Sequence, residues 1–243
     1  MSRISSELCL TDYDALEFAN NFDVDGIEIC SDLSCGGLTP SIGFVKKCAE
    51  NFKGEISVLI RPRKGDFIYS RVEKSIIFED ISAFQDIGDY CFVIGALVDG
   101  NTIDETFLYE LREEFGYQTK LCFHRAFEAV PDVEEAMRIL KKYKVQRLLC
   151  SGRNKSPMED AIHFKRLMEL SSGELQIMVR WRNSCNRVSR FLKKHQSTES
   201  TFQLFRNPIQ ISKILEKYRN TILLFQYWMR SIKHQFNFQN TAG

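Results

Sequence analysis

Long apolar runs are missing from this 243-residue chain. The longest near its end, Ile222 to Met229, is far too short to cross a bilayer, so no membrane partner is expected. No secretory leader is expected either, because Met1-Ser2-Arg3-Ile4-Ser5-Ser6-Glu7 is already polar. The eight cysteines form no C-x-x-C pair, which removes the usual spacing of a four-ligand zinc site. Cysteines in a chain with no leader are expected to be reduced thiols in the cytoplasm, with the nucleus also allowed, and not a disulfide framework.

Two further shortages are local. Glycine all but disappears after Gly173, since only the final residue follows it. Acidic residues are scarce from Arg180 onward, where twelve Lys or Arg face two acids. Residues 1–179 hold 21 basic and 30 acidic groups, so the net charge of +1 conceals a −9 block followed by a +10 block. The basic block shows no recognised nucleic-acid module, and no nucleic-acid partner is expected.

What the chain does have is a repeated unit. Seven apolar runs read as strands: Ile4–Leu10, Gly26–Cys30, Ile56–Arg61, Cys91–Leu97, Lys120–His124, Arg147–Cys150 and Glu174–Val179. Between them lie segments with helical spacing at Asp12–Phe22 after a Thr11 cap, Ser41–Asn51, Val72–Phe84, Asp104–Phe115, Val133–Lys142 and Met158–Leu170. Strict alternation of strand and helix requires a parallel sheet, and at this length a closed barrel is favoured over an open one. The expected fold is therefore α/β, a TIM-type (β/α) barrel with about seven recognisable units and the eighth missing or replaced.

Chemistry is expected at the carboxyl ends of the strands. The first two strands echo each other as Glu7-Leu8-Cys9 and Glu28-Ile29-Cys30. Residues two apart share a face, and a charged Glu is better placed in the barrel interior than against the helix layer. Cys9 and Cys30 then lie on adjacent strands, within reach of a shared ligand. Two thiolates alone suit Cu(I) better than structural zinc. The other reading is two buried cysteines acting as small hydrophobes. Arg61, aimed by Pro62, can hold a carboxylate or phosphate, or pair with Glu28. His124 can serve as a general acid or base, as a metal ligand, or as a hydrogen-bonded structural residue. Glu28, Arg61 and His124 together are the catalytic candidates, with no nucleophile and base pair among them. Gly152-Arg153-Asn154 is a weaker candidate for an anion-binding turn. Cys35, Cys48, Cys91, Cys122 and Cys150 have no metal spacing between them.

The motifs, taken in order, resemble the CutC-type copper homeostasis family. They are Ile27-Glu28-Ile29-Cys30, Gly36-Gly37-Leu38-Thr39-Pro40-Ser41, Ile60-Arg61-Pro62-Arg63, Gly65-Asp66-Phe67-Ile68-Tyr69-Ser70, Gly95-Ala96-Leu97, Phe123-His124-Arg125-Ala126-Phe127 and Ser151-Gly152. The resemblance spans residues 4 to about 179. It implies a TIM-type barrel, a cytosolic setting and copper as the partner ion, with Cys9 and Cys30 as the Cu(I) ligands. A homo-oligomer is compatible with it. No reaction is established for the family, so a barrel enzyme acting on a small anionic substrate at Glu28, Arg61 and His124 is the competing reading.

After Val179 the family pattern stops. The resemblance would continue with three glycines and Ile-Arg, where this chain has Arg180-Trp181-Arg182-Asn183-Ser184. Tryptophan has the single codon TGG, so a frame one nucleotide later must read glycine at that point. The same shift can read Thr201-Phe202-Gln203-Leu204 as His-Ser-Ser-Ser, matching the family's last strand. The expected organisation is thus a barrel over 1–179 and a divergent basic tail over 180–243 that is out of frame and poorly ordered.

Overall fold

The computed structural model describes residues 6–21, 24–150, 157–181 and 201–205. The chain opens with β1 (Ser6–Leu10), α1 (Asp14–Asn21), β2 (Gly26–Ile29), α2 (Ile42–Asn51), β3 (Glu55–Leu59), α3 (Arg71–Gln85) and β4 (Cys91–Ile94). A short hairpin of β5 (Leu97–Val98) and β6 (Thr102–Ile103) interrupts the alternation. It resumes with α4 (Glu105–Phe115), β7 (Lys120–Phe123), α5 (Val133–Lys142), β8 (Arg147–Cys150), α6 (Pro157–Ser171) and β9 (Gln176–Trp181). The last described element is β10 (Thr201–Phe205).

These strands form a closed barrel in the order β1-β10-β9-β8-β7-β4-β3-β2. Seven of them run parallel, from β1 through β2, β3, β4, β7 and β8 to β9. The eighth place is filled by β10, which runs antiparallel to both β1 and β9. A βα repeat would have delivered a parallel strand there. The replacement comes from the segment that the sequence places in the tail, and β9 itself runs two residues past Val179. Closure leaves no unpaired edge between β1 and β9.

Alternation along each strand sorts the core into two layers. Leu8, Leu10, Ile27, Ile29, Val58, Phe92, Ile94, Leu121, Phe123 and Leu148 pack outward against the helices. Cys9, Cys30, Leu59, Cys91, Val93, Cys122, Leu149 and Met178 point inward and pack on one another. The period-2 geometry of a strand makes this separation automatic. Barrel interiors are normally filled by bulky branched side chains, and this one is rich in sulfur instead.

Local signals set the helix starts. Ser41 caps α2 by accepting from the Phe44 amide at 3.2 Å, and Ser70 with Glu73 forms a reciprocal capping box on α3. At α1 the accepting side chain is Asp12, which takes the Ala15 amide at 3.0 Å, one residue beyond the expected Thr11.

Candidate metal centre and barrel mouth

Parallel register places Cys9 on β1 opposite Glu28 on β2. Cys30 follows immediately after β2, where its amide extends the ladder to the Leu10 carbonyl at 3.0 Å. The three inward side chains therefore converge. The two sulfurs lie 3.2 Å apart, and the Cys9 Sγ–H donates to Glu28 Oε1 at 3.4 Å. All three groups are buried, and one ligand atom from each lies within 4.8 Å of the others. Both cysteines are free thiols. Soft sulfur donors with one carboxylate alongside fit a Cu(I)-sized soft ion, and the carboxylate can receive a thiol proton when a metal displaces it.

At the carboxyl ends of the strands a cavity of about 370 Å³ opens. Its walls bring together Glu28, Arg61 and His124, the three residues expected at the mouth, along with Phe67 and Leu149. Arg61 is 5 % exposed and lies two residues past the end of β3. Its guanidinium donates to the carbonyls of Cys35 and Gly37 at 3.0 Å each and of Gly65 at 2.8 Å, and it lies over the Phe67 ring. These acceptors are main-chain carbonyls, and the cation also opposes the rise that burial gives the Tyr69 hydroxyl pKa. Gly36 and Gly37 both sit at φ +95°, and a side chain on Gly37 would meet Leu59 at 2.6 Å. This is why paired glycines stand in that loop.

His124 follows β7, and its ring is packed on Phe67 with centroids 4.8 Å apart. Nδ1 accepts from the Ala126 amide at 3.2 Å, which starts the short 3-10 helix Arg125–Ala129. Burial first, and the nearby Arg61 cation second, push its pKa down to about 3. Gly95 makes room for the ring, since a Cβ there would fall 2.3 Å from Nδ1. Gly95 and Phe67 are site residues that residue chemistry alone did not single out; both lie within motifs carrying the resemblance. Gly152-Arg153-Asn154 falls outside the described residues.

The amino-terminal end of the barrel holds a separate charged group. Glu7 is fully buried, accepts from Ser57 Oγ at 3.0 Å and lies 3.4 Å from Arg147, which also pairs with Glu55. Burial, reinforced by the Glu28 charge, raises the Glu7 pKa to about 8 despite Arg147. Cys91, just beside it, is pushed up to about 12, chiefly by burial. Cys122 is raised for the same reason and contacts the Met178 sulfur at 3.6 Å.

Comparison with known proteins gives a consistent result. A family model described as the CutC family matches residues 4–197, a span that continues past Val179. The CutC family protein of Rhizobium meliloti (strain 1021) is 40% identical over 178 residues, covering 73% of this chain and 72% of that protein. The human copper homeostasis protein cutC homolog is 32% identical over 193 residues, covering 79% and 70%. A crystal structure of CutC from Streptococcus agalactiae superposes with a TM-score of 0.68 at 27% identity, covering 77% of this chain and 92% of that one.

Proposed function

The chain belongs to the CutC family, and from that premise we propose that it serves copper homeostasis by holding Cu(I) between Cys9 and Cys30. The observation that carries this reading is the 3.2 Å approach of the two sulfurs inside the barrel, with Glu28 beside Cys9. Three properties of the pair fit the task. Sulfur selects a soft monovalent ion over the hard cations that prefer oxygen. Burial keeps water from competing for the ion. Glu28 also lines the mouth cavity, so the same carboxylate connects the buried thiols to the open end of the barrel.

Loading requires thiolates, so each cysteine must release its proton as the ion arrives. Glu28 is placed to take the one from Cys9. The seven described cysteines are all free, which suits a reducing compartment, and we assign the protein to the cytoplasm. No described helix is long and apolar enough to cross a membrane. A Cu(I) titration of the full chain under reducing conditions tests the reading. Near-stoichiometric binding is expected, lost in Cys9→Ser/Cys30→Ser. Unchanged uptake in that double variant would remove the assignment. Glu28→Gln should keep the stoichiometry while slowing loading at mildly acidic pH.

A further inference from the structure

Two thiols 3.2 Å apart invite a second chemistry besides metal binding, which is oxidation to a disulfide. The strand register opposes it. Cys9 on β1 stands opposite Glu28 on β2, and Leu10 stands opposite Ile29. The Cys30 amide donates to the Leu10 carbonyl at 3.0 Å, which carries the same register one step further. Cys30 therefore lies two residues beyond the position that faces Cys9. With strands about 4.8 Å apart and a rise of about 3.3 Å per residue, that diagonal sets the two Cα atoms about 8 Å apart. A disulfide asks for Cα atoms within about 7 Å and for sulfurs at about 2.05 Å. The sulfurs approach because the two side chains lean toward each other across the diagonal.

Closing the bond would require β1 and β2 to slide past each other, and the barrel resists that. β1 is also laddered to β10, with Cys9 opposite Thr201, and β2 to β3, with Glu28 opposite Ser57. In a closed sheet a slipped strand breaks both of its ladders, and a slip of one residue turns its side chains to the other face. A metal makes the opposite demand. Two metal–thiolate bonds of about 2.3 Å let the sulfurs move apart, in the direction in which the backbone already holds them. We propose that the register of β1 and β2 locks Cys9 and Cys30 as a dithiol, a pair that exchanges metal ions and does not exchange disulfides. The reaction refused is the transfer of two electrons and two protons from the pair to a disulfide oxidant such as glutathione disulfide. It would yield one Cys9–Cys30 bond and two glutathione thiols. Where the proposal rests on the copper reading, its consequence is that Cu(I) capacity persists under disulfide stress and that the ion leaves by ligand exchange.

The test incubates the metal-free full chain with glutathione disulfide and maps its peptides, unreduced, by mass spectrometry. The control is Glu28→Cys/Cys30→Ser, which moves the second thiol opposite Cys9, where Cα atoms about 4.8 Å apart satisfy a disulfide. Glu28 and Cys30 are both buried, so the control changes register and not access. The control should crosslink positions 9 and 28, and the wild type should crosslink positions 9 and 30 at least about tenfold less. After the same treatment, wild type given Cu(I) in acetonitrile without oxygen or reductant should bind it with unchanged stoichiometry. A wild-type crosslink as complete as the control's would overturn the proposal, and so would a folded control that does not crosslink. Should the control misfold, the wild type decides alone, since a Cys9–Cys30 disulfide in most chains overturns the proposal. The copper reading is judged apart: a wild type that stays unlinked yet binds no Cu(I) would remove that reading and leave the register lock standing.

Discussion

The two ends of the barrel interior each bury a titratable group that is neutral at pH 7, yet they are built for different ends. At the amino-terminal end Glu7 has its pKa raised to about 8, and at the carboxyl-terminal mouth His124 has its pKa lowered to about 3. Burial is the largest cause in both cases. The surroundings then diverge. Glu7 is closed in by Ser57, Arg147 and Cys91 and is absent from the cavity lining. His124 lines the mouth cavity, and each of the two keeps one buried polar atom without a hydrogen-bond partner among the described residues, Oε1 in Glu7 and Nε2 in His124. The same desolvation therefore acts at two ends that differ in what lies beside them, packed side chains around Glu7 and an open cavity at His124. Between them sit Cys9, Cys30 and Glu28, nearer the mouth and linked to it by the Glu28 carboxylate.

Breaking either end should show this difference. Arg147→Met, at the closed end, removes the cation shared by Glu7 and Glu55. We expect a loss of about 3 kcal/mol above pH 8, where Glu7 is ionised, and a clearly smaller loss at pH 6, both from urea unfolding. An equal loss at the two pH values would mean that Glu7 is charged throughout. Gly95→Ala, at the mouth, drives a methyl into the His124 ring and should destabilise by about 2 kcal/mol. It should also shift the ring's NMR signals, whereas Cu(I) uptake at Cys9 and Cys30 should survive. Normal His124 signals in that variant would show that the ring is not held where the cavity needs it.

Glu7→Gln gives the finest comparison. A carboxyl with a pKa of 4.5 unfolded and about 8 folded holds its proton more tightly in the native state. Its stabilising contribution is complete below pH 4.5 and is lost as pH rises toward 8, at about 1 kcal/mol per unit. The glutamine variant should lack this decline. For His124 the sign is reversed, because its depressed pKa stabilises above pH 6.5 and that contribution is lost as pH falls toward about 3. A wild-type stability flat across the Glu7 window would contradict the buried neutral carboxyl.

Much of this arrangement is legible in the sequence. The apolar runs marked all seven parallel strands to within a few residues, because a parallel barrel strand is buried on both faces and so reads as a continuous apolar stretch. The Glu-x-Cys echo located the sulfur pair, since register between adjacent parallel strands is nearly fixed by the hydrophobic pattern. Less legible were features that depend on loops closing over a site. Arg61 finds its acceptors in Cys35, Gly37 and Gly65, which converge only after the mouth loops fold. The apolar run Cys91–Leu97 reads as one strand, but it breaks at Gly95 and Ala96 to admit His124 and then enters the β5–β6 hairpin. The antiparallel closing strand Thr201–Phe205 could not be anticipated from a βα repeat, because it breaks that repeat.

The most direct test of the central claim is X-ray absorption at the copper edge of Cu(I)-loaded protein. The account predicts a first shell dominated by two sulfur scatterers, which disappears in Cys9→Ser/Cys30→Ser. A shell of nitrogen and oxygen alone, or a two-sulfur shell that persists in the double variant, would contradict it.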